Sequence, residues 1–321
     1  MVKRASVQTN KEMRAVYSET LYELMKTNPD IVVMDADLVS ASGSGKLFKE
    51  YPDRCINMGI SEANMMGAAA GMSLVGKIPF VHTFTPFATR RVYDQVYLSG
   101  AYQKANVRIF GSDPGFWASH NGGTHTSVED VALMRAIPTM TVLAPADASA
   151  MKWVVEETSK HYGMFYIRAG RKSTPDIYDA SQSFELGKAI VVQDGEDGVI
   201  FSMGEMIYEA LLASESLKKS HQLSIAVVDM FSLKPLDEAC VIHMVKDKKF
   251  VIVAENHSVI GGLGSAVAQV MAALGNCPPL RQVGIQDHFG EVGTVDYLQE
   301  KFKLKSTDII ESVMDVIQNI D

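Results

Sequence analysis

The chain has 321 residues, 47% hydrophobic and 21% charged, a globular balance that excludes a disordered polymer and suits two domains of roughly 150 residues each. A formal net charge of −8 argues against a nucleic-acid surface, and the lack of a long apolar run argues against a membrane partner. Three scattered cysteines, Cys55, Cys240 and Cys277, indicate neither a disulfide framework nor a metal site, and residues 1–6 lack the apolar stretch of a secretory signal, so a cytoplasmic protein is expected.

Thr9-Asn10-Lys11-Glu12 reads as a capping box, followed by Met13, Val16, Tyr17, Leu21, Leu24 and Met25 at helical spacing until Asn28-Pro29. Ile31-Val32-Val33-Met34 has the length of a buried strand. Helices are then predicted over 61–74, 87–103, 128–136 and 146–160, alternating with strands over 78–84, 107–111, 140–144 and 164–168. This α/β alternation implies a mainly parallel sheet with helices on both faces. Residues 173–184 break the pattern with Pro175, Asp176, Asp179 and three serines, and read as an interdomain linker. A second α/β series follows. Its strands are expected near 199–203, 223–228, 250–254 and 282–285, and its helices near 205–217, 236–245, 264–274, 295–302 and 308–320.

Five segments carry residues suited to chemistry. Met58 to Gly71 is a turn leading into a helix of small residues that admits close approach of another backbone. Its Ser61 and Glu62 read most simply as a helix start, although an acid in so tight a place is also a candidate functional carboxyl. In the stretch from His82 to Gln95, Phe84 and Phe87 straddle a strand-to-helix turn; spacing alone favours two core residues, while their faces would also stack a flat ring. The loop from Ser119 to Asp130 gathers His120, His125 and two glycines just before a helix, which suits the ligand edge of a sheet better than a metal pair. Arg168, Arg171 and Lys172 lie together at a strand's end, equally a solvated basic edge or an anion site for a sugar phosphate. Gly261-Gly262-Leu263-Gly264 does not complete a dinucleotide fingerprint and reads as a close-packing turn.

The order and content of these segments resemble the pyrimidine-binding and C-terminal domains of transketolases, above all the forms split into two chains. The resemblance rests on Asp35-Ala36-Asp37-Leu38, Gly59-Ile60-Ser61-Glu62, Thr83-Phe84 with Phe87, and Gly123-Thr124-His125 followed by Glu129-Asp130. Residues 229–237, Gly261-Gly262-Leu263-Gly264 and Phe289-Gly290-Glu291-Val292-Gly293 extend it through the second half. It implies a pyrimidine-binding domain over 1–175, a linker over 176–186 and a C-terminal α/β domain over 187–321. It also implies thiamine diphosphate as cofactor, with Glu62 hydrogen-bonded to the aminopyrimidine, Phe84 and Phe87 stacking on it, and Asp37 and Ile60 completing the cofactor side. Proton sharing with Glu62 favours the imino form of the ring, whose own nitrogen then deprotonates the thiazolium carbon. By the same resemblance His125 lies in the substrate channel as a catalytic residue, and Asp113, Asn121, Arg168 and Arg171 face the substrate.

The Gly-Asp-Gly segment with which transketolases hold the diphosphate and Mg²⁺ does not occur; Asp197-Gly198 falls in a strand-to-strand turn. The resemblance therefore implies a separate N-terminal transketolase subunit, an α₂β₂ assembly with self-association of this chain, and cofactor between subunits. Three positions depart from the family pattern: Asn121 replaces an acid, Asp113 a histidine and Arg90 an aromatic residue. They leave cofactor activation untouched and raise the expectation of an unusual sugar phosphate. The nearest alternative is the β subunit of a 2-oxoacid dehydrogenase E1 component, which Thr83-Phe84 and the Gly-Thr-His loop fit less well. A scaffold that keeps only the fold is a third reading, opposed by Glu62, Phe84 and Phe87.

Overall fold

The computed structural model describes residues 2–6 and 8–320. Helix α1 (Met13–Thr27) opens the first series, but no capping box starts it. The Thr9 amide and hydroxyl both bond the Asp176 carboxylate, and Glu12 pairs with Arg14 at 2.7 Å and Lys172 at 3.3 Å. The polar residues before α1 thus fasten it to the later 171–178 segment.

The chain continues through β1 (Ile31–Asp35), the short α2 (Val39–Ser42) and α3 (Gly45–Glu50), β2 (Cys55–Asn57) and α4 (Glu62–Leu74). Then come β3 (Ile78–Phe84), α5 (Thr85–Ala88), β4 (Val107–Ser112) and α6 (Asp130–Ala136). Strand β5 (Thr141–Leu143), α7 (Ala148–Thr158) and β6 (Met164–Ala169) finish the series. Successive residues of β1 point to opposite faces. Ile31 and Val33 pack with α1 and α7, whereas Val32 and Met34 pack with Met65, Met66 and Ala69 of α4. That two-sided burial is why the strand reads as an unbroken apolar run.

The single helix expected over 87–103 is in fact three pieces: α5, a 3₁₀ turn (Arg90–Val92) and a π-helical stretch (Gln95–Tyr102). The break falls at Thr89, whose backbone leaves the helical region (φ −120°, ψ −90°) while its hydroxyl donates to the Thr85 carbonyl at 2.7 Å.

The second series comprises β7 (Ile190–Gln193), β8 (Gly198–Ser202), α8 (Met206–His221), β9 (Ile225–Asp229) and β10 (Ser232–Lys234). It closes with α9 (Glu238–Val245), β11 (Phe250–Ser258), α10 (Leu263–Leu274), β12 (Leu280–Ile285), α11 (Val295–Lys301) and α12 (Ser306–Gln318). The first sheet has the order β10-β5-β6-β4-β3-β1-β2 and the second β12-β11-β8-β9-β7. Among the described strands, only β10 and β7 run antiparallel to their neighbours.

Strand β10 crosses between the two series. It leaves the second and adds to β5 as the edge of the first sheet, while Lys234 Nζ donates to the carbonyls of Arg135 (2.8 Å) and Ile137 (2.5 Å) at the end of α6. One apolar cluster is accordingly continuous from Val81 and Ile109 through Leu233 to Val228 and Val253. No described helix is long and apolar enough to cross a membrane.

Candidate active site

In a parallel sheet all carboxyl ends open on one edge, where loops from several strands converge. Here Asp35 of β1 registers with His82 of β3, Phe84 with Ser112 of β4, and Ser112 with Ala169 of β6. Residues just beyond these strand ends are therefore neighbours in space, and they include most of the candidates read from the sequence.

Glu62 is the first residue of α4 and is 5% exposed. Ser61 does not cap that helix; its hydroxyl donates to the Met58 carbonyl at 2.7 Å. Glu62 Oε1 accepts from Arg91 Nη1 at 2.7 Å, and the Arg91 guanidinium lies 3.7 Å from the centroid of Phe87. Phe84 and Phe87 are 6.4 Å apart, inclined at 52°. The His125 ring stands edge-on to both, at 6.0 and 5.1 Å, with Nδ1 2.9 Å from the Thr124 hydroxyl. The fold thus gathers an acid, two aromatic faces and an imidazole from three separate segments.

Asp37 is exposed on the loop after β1. Asn57 joins it to the approach to α4: its Nδ2 donates to Asp37 Oδ1 at 3.1 Å, and its Oδ1 accepts from the Asp37 and Gly59 amides at 3.1 and 3.0 Å. Ile60, next in the chain, is 78% exposed. Asp113 and Arg171 form an ion pair at the ends of β4 and β6, with Nε 2.5 Å from Oδ2 and the Arg171 amide 2.8 Å from Oδ1. Burial pushes the Asp113 carboxyl up from the ordinary aspartate range, and the Arg171 charge opposes that rise. The Arg171 guanidinium also lies 4.8 Å from the Phe84 centroid. Its Nη nitrogens make no hydrogen bond among the described residues. Asn121 is exposed at the end of the 3₁₀ segment Gly115–Asn121.

Arg168 corrects the sequence reading. It is 1% exposed, with Nε on Asp130 Oδ2 at 2.7 Å and Nη2 on the Asn256 carbonyl at 2.9 Å. Tyr166 donates to the same Asp130 oxygen at 2.8 Å. Burial alone would lower the Arg168 pKa, but the charges of Asp130 and Glu205 outweigh it and hold the group above its usual value. The Arg168 guanidinium therefore links the first sheet to β11 and is not presented to a sugar phosphate.

The second series walls this edge of the first sheet. Asn256 of β11 accepts from the Phe116 amide at 3.1 Å and donates to the Pro114 carbonyl at 3.1 Å. A Cβ on Gly123 would overlap the Gly290 carbonyl, so the Gly123-Thr124-His125 turn and the 287–293 loop are in backbone contact that only glycine permits. These loops and Arg90, Glu129 and Ile260 line an open cleft of about 880 Å³.

Two site features escaped the sequence reading. Arg91 is one; its signal was the tandem Arg90-Arg91 after the phenylalanine pair. The other is a buried relay under the site, in which His82 Nδ1 lies 2.9 Å from Asp35 Oδ2 and Nε2 lies 3.0 Å from the Ser112 hydroxyl. Only strand register reveals it, since the three residues are far apart in the chain.

The donor set fits the pyrimidine half of thiamine diphosphate: a buried carboxylate beside aromatic faces. Among the described residues no group of three or more His, Cys, Asp or Glu side chains is arranged to hold a metal ion.

Comparison with known proteins agrees with this geometry. Residues 9–176 match the transketolase pyrimidine binding domain and residues 187–309 the transketolase C-terminal domain. A 6-deoxy-6-sulfo-D-fructose transketolase subunit from Clostridium sp. is 45% identical over 95% of this chain and 94% of its own. A putative transketolase C-terminal section from Methanocaldococcus jannaschii is 40% identical over 98% of both. A split-gene transketolase solved as an inactive β4 tetramer superposes with a TM-score of 0.88 at 40% identity, over 96% of this chain and 98% of that one. Transketolases depend on thiamine diphosphate, and these relatives imply a partner N-terminal chain. The chain belongs to the transketolase family, as a C-terminal subunit of a transketolase-type transferase.

Proposed function

We propose that this chain supplies the pyrimidine-binding half of a two-chain transketolase that moves a two-carbon ketol unit from an anionic ketose to an aldose. The observation that carries this reading is the convergence of Glu62, Phe84, Phe87 and His125 at the carboxyl edge of the first sheet. In this reading an N-terminal subunit brings the diphosphate and Mg²⁺ sites, and two copies of each chain form a cytoplasmic α₂β₂ assembly. Residues 1–175 and 187–321 are its working domains, joined by 176–186.

Bound between the chains, thiamine diphosphate supplies the nucleophilic carbon that cleaves and re-forms the ketose carbon–carbon bond. Glu62 holds a proton between its free oxygen and a ring nitrogen of the pyrimidine. Phe84 and Phe87 fix the ring's plane, and Asp37 and Ile60 border its entry. His125, edge-on to both phenyl rings, reaches the substrate's oxygen atoms and exchanges protons with them. Arg171 turns its Nη groups to the donor's terminal anion while Nε and the backbone amide stay on Asp113. Asn121 stands where the family pattern has an acid and Asp113, which holds Arg171, where it has a histidine, and these departures favour a donor with an unusual terminus. Its chemistry is a phosphate or, as in the name of the Clostridium relative, a sulfonate.

The test is ketol transfer by the two-chain complex with a ketose phosphate, a ketose sulfonate and the uncharged ketose. An anionic donor should exceed the uncharged one by roughly tenfold or more in kcat/KM, as for loss of a charge-assisted bond. Equal kcat/KM for all three contradicts the anion assignment. Oxidative decarboxylation of pyruvate or branched-chain oxoacids should be absent, and its presence would favour an E1 subunit instead.

A further inference from the structure

Two adjacent arginines lie on the single 3₁₀ turn that follows the phenylalanine pair, and they serve opposite sides of the site. Arg91 reaches back to α4 and couples Glu62 to Phe87: its Nη1 holds Glu62 Oε1 at 2.7 Å while its plane covers one face of the ring at 3.7 Å. Arg90 reaches forward to the loop before α6. Its Nη1 donates to the Thr126 carbonyl at 3.0 Å and to Glu129 Oε1 at 2.7 Å, and its Nη2 donates to the Thr124 carbonyl at 3.3 Å. Those two carbonyls belong to the residues on either side of His125.

The Arg90–Glu129 pair is open to solvent on both sides, 41% and 33% exposed, and such pairs contribute little to stability; Arg91 is itself 45% exposed but pairs with the buried Glu62. Their value lies in geometry. A guanidinium is a rigid planar fork, able to hold several acceptors at fixed angles or to stack while bonding at its edge, and a lysine ammonium does neither. Glu62 has one oxygen occupied by Arg91, which leaves the other for the ring it is proposed to bind. The loop of His125 carries two glycines, so a clamp on the carbonyls beside the imidazole sets where it stands.

We infer that Arg90 and Arg91 are positioning residues that divide the site, Arg91 ordering Glu62 and Phe87 for the cofactor's pyrimidine and Arg90 ordering the His125 loop for the sugar. This rests on the transketolase reading above and adds to it which side each arginine controls. Neither residue touches reacting atoms; each acts through a neighbour.

The experiment uses the two-chain complex carrying Arg91→Met, Arg91→Lys, Arg90→Met or Arg90→Lys, each checked for assembly by size and by thermal melting. Thiamine diphosphate affinity is measured by titration calorimetry with Mg²⁺ present, and donor kcat and KM at saturating cofactor. Arg91→Met should weaken cofactor binding by roughly tenfold or more, with Arg91→Lys recovering part of it through the single hydrogen bond. Donor KM should stay within about twofold for both. Arg90→Met should leave cofactor affinity within about twofold yet lower kcat/KM for the donor by roughly tenfold or more, and Arg90→Lys should not restore it. If the methionine variants fail to assemble, the lysine pair makes the same comparison. Identical phenotypes at the two positions, or unchanged cofactor affinity in Arg91→Met beside an active wild type, overturn the inference alone. A wild-type complex that neither binds thiamine diphosphate nor transfers ketol units overturns the functional reading with it.

Discussion

Arg168→Met separates a structural arginine from a substrate-binding one. The guanidinium is 1% exposed and contacts Asp130 through Nε (2.7 Å) and Nη2 (3.4 Å), as well as the Asn256 carbonyl. Methionine fills much of the volume but removes the charge, leaving the fully buried Asp130 with the Tyr166 hydroxyl and, 4.0 Å away, His257 Nε2. Breaking a buried pair on one side costs about 3–5 kcal/mol, because the remaining charge is uncompensated. Removing both charges, as in Asp130→Leu with Arg168→Met, costs less than the two single changes added together. It orphans the Asn256 carbonyl and the Tyr166 hydroxyl, at about 1–3 kcal/mol each, and takes the Arg168 charge away from Glu205. Urea unfolding at neutral pH, followed by circular dichroism and extrapolated linearly, gives both values. The single variant should lose about 3–5 kcal/mol, and the cycle should show a favourable coupling of about 2 kcal/mol or more. A single-variant loss below about 1 kcal/mol, accompanied by a raised donor KM in the complex, would return Arg168 to the substrate.

Asp229 should make stability fall with rising pH. Burial pushes its carboxyl, which receives the Tyr178 hydroxyl at 2.7 Å, up to about 8. The unfolded value is about 3.9, so between about pH 4 and 8 the folded chain holds a proton that the unfolded chain has released. The stability is complete below that window and is lost as pH climbs through it. Asp229→Asn should flatten melting temperature against pH from about 5 to 8, and an unchanged slope would contradict the assignment. Gly123→Ala should push the His125 turn off Gly290, costing about 1–3 kcal/mol and raising donor KM more than cofactor Kd; wild-type kinetics would mean the contact yields freely.

The alternating βαβ plan was legible because buried parallel strands are apolar on both faces, as Ile31 to Met34 are. Family resemblance singled out Glu62, Phe84, Phe87 and His125, which the fold brings together; spacing alone favoured a capping role for Glu62 and core roles for the phenylalanines, and only the His125 loop suited a ligand edge on its own residues. Three things were hidden for physical reasons. Thr9 and Glu12 carry the letters of a capping box, yet tertiary partners Asp176 and Lys172 claim them. Strand β10 is too short for periodicity to mark, and its partner β5 lies nearly a hundred residues earlier. Arg168 and Arg171 look alike at a strand end, but side chains alternate along and beyond a strand: Arg168 turns into the interdomain core and Arg171 towards Phe84.

Ketol transfer by the wild-type chain and by Glu62→Gln, each with and without an N-terminal transketolase chain from the same source, puts the whole reading at stake. With thiamine diphosphate and Mg²⁺ present, activity should appear only when both chains are mixed. Glu62→Gln should assemble as well as the wild type and lose ketol transfer, because an amide cannot share a proton with the pyrimidine as a carboxyl does. Full activity in the Glu62→Gln complex, or in the wild-type chain alone, would contradict it.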